Sequence, residues 1–248
     1  MITAWFRFYE ELNDFLPPSR KKLSFSVCFR GNTPVKDIIE SLGVPHTEID
    51  LILVNGLSVD FKYRLKDDDK VSVYPVFETL DISEIAHLRP KPLRITRFIC
   101  DAHLGKLARY LRLAGFDTDF DTDYDDMRIA ANSVNQKRII LTRDRGLLKN
   151  RMISHGYWIR SSNPREQFLE VINRFDLRKS FQPFTRCLEC NKSLVKVTKD
   201  EISARLMPRT REYYSLFKKC PACERIFWEG SHYESMKNYI RNLLIPDA

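Results

Sequence analysis

The chain has 248 residues, 43% of them hydrophobic, with 41 Lys and Arg against 33 Asp and Glu for a net charge of +8. That length supports two or three small domains, each with its own core. No stretch reaches the ~18–20 consecutive apolar residues that a bilayer-spanning helix needs, and Glu10 and Glu11 interrupt the N-terminus where a signal peptide would carry its apolar run, so a cytoplasmic location is expected.

In chain order, residues 2–16 begin as an alternating strand, Pro17-Pro18 stops any helix, and residues 22–29 read as a second strand. Thr33-Pro34 opens a short amphipathic helix over 35–43, with Pro34 at the first helical position and Gly43 as its C-cap. The apolar run 50–56 and the closing strand 70–77 complete a β-β-α-β-β order, the pattern of a β-grasp. Through Leu53-Val54-Asn55-Gly56 and Asp67-Asp68-Asp69-Lys70-Val71 this segment resembles the ubiquitin-like sulfur-carrier proteins. Those carriers work through a free C-terminal Gly-Gly, whereas here the chain runs on through Tyr74-Pro75-Val76-Phe77, so a docking or substrate-guiding module is expected instead.

Residues 81–96 read as a linker, with extended backbone favoured by Arg89-Pro90-Lys91-Pro92. Beyond it, strands at 97–100, 116–120, 138–142 and 156–160 alternate with helices at 103–115, 125–136, 145–154 and 163–175, the last with Asn163 as N-cap and Pro164 at N1. Such alternation predicts a parallel sheet covered on both faces. The charge is unevenly spread: residues 1–80 hold 10 Lys/Arg against 12 Asp/Glu, residues 81–248 hold 31 against 21. The later part is therefore the candidate for a polyanionic partner.

Cys187, Cys190, Cys220 and Cys223 form two Cys-x-x-Cys pairs separated by 29 residues. Each pair can present two thiolates to one tetrahedral ion, so a structural zinc site is expected, with two disulfides or a redox pair as the alternative. Arg186, Lys192, Lys218, Lys219 and Arg225 are close enough in sequence to offset the excess negative charge of a Cys₄ zinc site. Cys28 and Cys100 fall in strand-like runs and read as buried small hydrophobes.

In an open α/β sheet ligands bind beyond the carboxyl ends of the strands. Asp101 and Asp144 follow two strands at that level, and Asp126 opens a helix after an acidic run. Three converging carboxylates demand a divalent cation, and an all-oxygen set suits Mg²⁺ or Mn²⁺. Each Asp has a plainer reading as a turn or cap: Asp101 between strand and helix, Asp144 at the helix expected from 145, and Asp125 or Asp126 at the next. Lys106, Arg109 and Arg112 recur at spacing three along one helix, opposite Leu104, Leu107, Ala108 and Leu111, while Arg143 and Arg145 flank Asp144. A basic ridge beside an acidic pocket suits phosphodiester chemistry, with cations on the phosphates and carboxylates on the metal. Tyr110 and Trp158 are candidate stacking aromatics, His103 reads as a turn residue, and His232 is equally open to an RNA contact or a structural hydrogen bond.

Residues 101–112, Leu141-Thr142-Arg143-Asp144, Thr185-Arg186-Cys187-Leu188-Glu189-Cys190-Asn191 and Trp228-Glu229-Gly230-Ser231-His232-Tyr233 together resemble the Mut-seven C-terminal ribonuclease domain. The resemblance implies a PIN-like nuclease domain with a C-terminal zinc ribbon and a fused ubiquitin-like N-terminus. The expected boundaries are 1–80, 81–96, 97–180 and 181–248. It implies a metal-dependent endoribonuclease acting on single-stranded RNA and leaving 5′-phosphates, with Asp101, Asp126 and Asp144 at the acidic positions. Asp123 and Asp125 would replace Asp126 after a shift in register, and no fourth acid is assigned. A non-catalytic RNA-binding adaptor, gripping RNA through ribbon and basic face and recruiting a protein through the β-grasp, is the second reading.

Overall fold

The computed structural model describes residues 1–75, 88, 96–230, 233–235, 238 and 242. Val76-Phe77, most of the expected linker and His232 lie outside the described residues. The elements are β1 (Ile2–Phe8), β2 (Phe25–Phe29), α1 (Val35–Ser41), β3 (Ile49–Val54), β4 (Leu57–Ser58), β5 (Lys70–Pro75), β6 (Phe98–Cys100), α2 (Gly105–Leu113), β7 (Thr118–Asp119) and α3 (Asp126–Gln136). There follow β8 (Ile139–Thr142), β9 (Gly156–Trp158), α4 (Pro164–Arg174), β10 (Val195–Val197), α5 (Lys199–Ile202), α6 (Pro208–Tyr213), β11 (Phe217–Lys219) and β12 (Ile226–Trp228). They gather into two compact units, residues 1–103 with 123–160 and residues 104–122 with 161–248.

The first unit holds a five-stranded sheet in the order β2-β1-β5-β3-β4, with β1 and β5 parallel at its centre and the other pairs antiparallel. This is the expected β-grasp. Alternation along β1 buries Ala4, Phe6 and Phe8 against Ile38 and Ile39 of α1 and against Val71 and Val73 of β5. Leu42 rather than Gly43 is the C-cap residue, and Gly43 follows it in the left-handed region at φ 104°, donating to the Glu40 carbonyl. Pro34 is the N-cap residue rather than the first helical one. The three aspartates of the 67–71 motif are all used structurally. Asp67 accepts from the Thr3 N–H, Asp68 from the Trp5 indole, and buried Asp69 from Asn55, Tyr63 and the Lys66 N–H. Cys28 departs from expectation: it is exposed, because the pleat of the edge strand β2 turns Ser26 and Cys28 outward and Val27 and Phe29 inward.

The same unit carries the parallel strands β6, β8 and β9, in that order. Ile139, Ile140, Leu141 and Thr142 are all buried, as a strand covered on both faces requires. Ile129 and Ala130 of α3 pack on this sheet with Ile99, Ile140, Leu147 and Leu148. Residues 145–154, expected as a helix, form only a 3₁₀ turn at Leu147–Lys149. The side chains of Asp144 and Asn150 take up the N–H groups of Gly146 and Met152, which directs the backbone into local turns instead.

In the second unit α2 packs against α4, whose N-terminus is capped by the Asn163 side chain on the Arg165 N–H with Pro164 at N1, as read. The 29 residues between the cysteine pairs contain β10, α5, α6 and β11, and β10-β11-β12 form an antiparallel sheet. Its small core is Ile202, Leu206 and Phe217, with Val197, Tyr214, Ile226 and Trp228 packed around it. No helix among the described residues is long and apolar enough to cross a membrane.

Candidate functional site

Asp101 follows β6 directly and Asp144 follows β8 by one residue, so the pairing of these strands brings both acids to the carboxyl edge of the sheet. Asp101 is only 6% exposed. Its Oδ2 accepts from the Thr142 hydroxyl at 2.5 Å and from the Arg143 N–H at 3.1 Å, and its Oδ1 from the His103 N–H at 2.9 Å. The Thr142 hydroxyl in turn accepts from the Asp144 N–H at 2.8 Å. One hydroxyl therefore orients both acid-bearing turns. Thr142 was missed as a site residue, although a lone polar side chain at the end of an apolar strand run is a legible signal.

Capping distinguishes Asp125 from Asp126. Asp125 is the N-cap of α3 and accepts from the Arg128 N–H at 2.7 Å. Asp126 is the first helical residue, and among the described residues its carboxylate has no hydrogen-bond donor. Partial burial raises its pKa, and the nearby charges of Asp144, Asp101 and Asp125 raise it further. The exposed Asp144 carboxylate accepts from the Gly146 N–H at 2.7 Å, a turn-closing bond rather than a helix cap. Among the described residues the four cysteines are the group of three or more ligand-type side chains that could hold a metal ion, their sulfurs all within 4.8 Å of one another.

The loop bearing Asp144 leans on the β-grasp. The Trp158 indole donates to the Arg143 carbonyl at 3.2 Å, its ring meets that of Phe15 at 5.0 Å, and the Arg145 guanidinium lies 3.8 Å over it. The Trp158 N–H donates to Glu48, and Arg160 pairs with Asp14 at 2.8 Å. His46 spans the same junction, with Nδ1 2.6 Å from Glu40 Oε1 and Nε2 2.7 Å from the Ile153 carbonyl. Sequence patterns carried no sign of the His46–Ile153 and Glu48–Trp158 pairings, which join residues more than 100 positions apart.

The basic residues divide. Arg143 is exposed and its side chain has no partner among the described residues, as is Lys106 on α2. Arg145 is committed to the Trp158 and Phe15 rings, and burial with the nearby Arg160 charge lowers its pKa. Arg109 pairs with Glu189 at 2.6 Å. Arg112 is a correction: it is 3% exposed, and its guanidinium donates to the carbonyls of Thr118, Leu188 and Glu189 at 2.9, 2.9 and 2.6 Å. Each step of three residues falls ~60° short of a full helical turn, so two steps carry Arg112 ~120° from Lys106, into the face that buries Leu107, Ala108 and Leu111. Of the two candidate stacking aromatics, Trp158 is taken up in the junction and half-buried Tyr110 lies 6.0 Å from the Phe168 ring.

Arg112 holds the first cysteine turn. There Asn191 (φ 63°) follows Cys190 as Glu224 (φ 61°) follows Cys223, and each left-handed residue lets the turn close with its N–H on the carbonyl of the leading cysteine. The sulfurs of Cys187 and Cys223 lie 3.5 Å apart and those of Cys190 and Cys220 3.3 Å apart, beyond the ~2.05 Å of a disulfide. Burial pushes the Cys187 thiol up to about 12. Burial acts the same way on Cys220, but N–H groups of Cys223 and Ala222 and the neighbouring thiols bring it down to about 7. Four soft donors in such a group can hold a metal ion such as zinc. The basic residues expected to offset its charge are mostly paired elsewhere: Arg225 with Glu189, Lys219 with Glu224, Arg186 and Lys218 with carbonyls.

These features define an α/β protein with a parallel sheet that carries Asp101 and Asp144 at its carboxyl edge, a ubiquitin-like N-terminal region and a C-terminal four-cysteine cluster. The chain belongs to the Mut7-C RNAse domain family, whose model matches residues 96–240, and the Mut7-C ubiquitin model matches residues 1–81. Among proteins of curated function none matches. Two solved structures are similar over 31% of this chain and 100% of their own. They are H. volcanii small archaeal modifier protein 1, at 14% identity and a TM-score of 0.26, and a Pyrococcus furiosus protein described as molybdopterin converting factor, subunit 1, at 18% and 0.25.

Proposed function

We propose that the protein is a metal-dependent endoribonuclease that hydrolyses phosphodiester bonds of single-stranded RNA, with Asp101, Asp126 and Asp144 as its acidic site. The observation that carries this reading is the buried Asp101 carboxylate, held by three donors at the carboxyl edge of the sheet with Thr142 linking it to the Asp144 turn. Its Oδ1 retains a lone-pair direction for a cation or water. Asp126, raised in pKa by burial and by its acidic neighbours, adds negative charge that a divalent ion would relieve. Mg²⁺ or Mn²⁺ bound there would supply an activated water and neutralise charge on the scissile phosphate. Arg143, exposed beside Asp144, would hold a backbone phosphate and orient the strand. Zinc on the four cysteines would have a structural role, and four free thiols accord with a reducing, cytoplasmic setting.

A second reading is an RNA-binding adaptor with no turnover whose ubiquitin-like region recruits a protein, since among the described residues the group that could hold a metal ion is the four cysteines. Cleavage of end-labelled single-stranded RNA in Mn²⁺, in Mg²⁺ and after chelation of weakly held ions separates the two. The ribonuclease reading expects metal-dependent cleavage, abolished in Asp101→Asn and Asp144→Asn, with RNA affinity in Asp144→Asn equal or higher. Binding that survives chelation, with no cleavage in either metal, selects the adaptor.

A further inference from the structure

Within the second unit lies a cavity of about 410 Å³ with aromatic and aliphatic walls, among them Phe184, Tyr214, Phe227, Trp228 and Tyr233, with Thr210 and Arg186 as polar contributions. Its size is within the range of small-ligand sites, ~300–1,000 Å³. Among the described residues neither the Trp228 indole N–H nor the Tyr214 hydroxyl has a hydrogen-bond partner, and both approach Gly230. A Cβ on Gly230 would lie 2.8 Å from Trp228 Nε1 and 3.5 Å from the Tyr214 hydroxyl, so the glycine leaves these donors clear. Arg209 and Arg211 flank Thr210, are exposed, and have no ion-pair partner among the described residues. Over residues 205–230 six Lys and Arg stand against three Glu.

We propose that this cavity takes a single unstacked nucleobase of an RNA strand. The base stacks on the aromatic wall, its acceptor edge meets the Trp228 N–H and the Tyr214 hydroxyl, and the adjoining phosphates are drawn to Arg209 and Arg211. The choice of polymer rests on the ribonuclease reading above. An apolar side chain from a protein partner would leave the two donors and both cations unanswered.

The test uses full-length Asp101→Asn protein, a fluorescein-labelled ten-nucleotide single-stranded RNA and fixed salt, with zinc content and thermal midpoint followed in every variant. Trp228→Ala is expected to weaken binding about tenfold, with most of the affinity kept by Trp228→Phe. Because Trp228 also packs on the ribbon core, Gly230→Ala serves as the second variant, crowding the donors without removing a core side chain. RNA carrying 5-iodouridine should photocrosslink to Tyr214, Phe227 or Trp228. Unchanged affinity in folded, zinc-replete Trp228→Ala and Gly230→Ala, or crosslinks confined to residues outside 184–233, overturns the proposal. If the active enzyme still cleaves RNA in that case, the ribonuclease reading stands alone. Pocket-dependent binding without cleavage in any metal leaves the pocket and removes the ribonuclease, and no RNA binding by the parent removes both.

Discussion

The Thr142 hydroxyl, fully buried at the end of β8, donates to Asp101 Oδ2 while accepting from the Asp144 N–H, so one side chain sets the positions of two acids from adjacent strands. Its replacement separates positioning from charge. Thr142→Val keeps the volume but leaves a buried carboxylate short of a donor, at a cost of about 2 kcal/mol in urea unfolding. RNA cleavage should fall with it, while Thr142→Ser retains most of the rate. Wild-type cleavage by Thr142→Val would remove Thr142 from the site.

Arg112 makes a structural prediction opposite to its appearance in the sequence. Arg112→Met strips donors from the three carbonyls of Thr118, Leu188 and Glu189, the last two lying between the ribbon's first two cysteines. A loss of about 3 kcal/mol in stability is expected, together with weaker metal retention measured by elemental analysis after dialysis. The slope of RNA affinity against salt should be unchanged. Lys106→Gln should do the reverse, lowering the salt slope by about one and leaving metal content intact.

Phe15 belongs to the ubiquitin-like region, yet its ring backs Trp158, which holds the Arg143 carbonyl one residue before Asp144. Phe15→Ala should destabilise the chain by about 3–4 kcal/mol and lower RNA cleavage below what the unfolded fraction explains. Cleavage per folded molecule equal to wild type would show that this region does not support the acidic loop.

The Glu40–His46 contact makes the junction sensitive to acid. Burial alone would raise the Glu40 pKa, but the His46 hydrogen bond and charge, with Lys36, bring it below its ordinary 4.5. A carboxylate lowered on folding contributes stability that is complete above the unfolded value and disappears as pH falls through the folded one. Wild type should therefore lose stability more steeply than Glu40→Gln as the pH drops below about 4.5, with the two curves converging at the acid end. Parallel urea-midpoint curves across that window would rule the contact out as a contributor.

Local patterns carried much of the fold. The alternation in β1, the apolar run of β8, and the Asn163-Pro164 start of α4 each reflect a preference that acts over a few residues. The same holds for the two Cys-x-x-Cys turns, because thiolates three residues apart can serve one ion whatever surrounds them. Asp101, Asp126 and Asp144 were readable as candidates because each stands at the end of a strand or the start of a helix.

What remained hidden depends on which distant groups meet. Spacing made Arg112 look like a surface cation, and only the packed α2 face and the carbonyls of the cysteine turn make it an internal clamp. Asp125 and Asp126 are equivalent as letters, and the entry of the chain into α3 gives the cap to the first and leaves the second without a donor among the described residues. Thr142, Phe15 and the base-sized cavity have no local signature that names their partners. Secondary structure follows from short-range backbone and side-chain preferences, whereas a site's geometry is set by hydrogen bonds and packing between residues far apart in the chain.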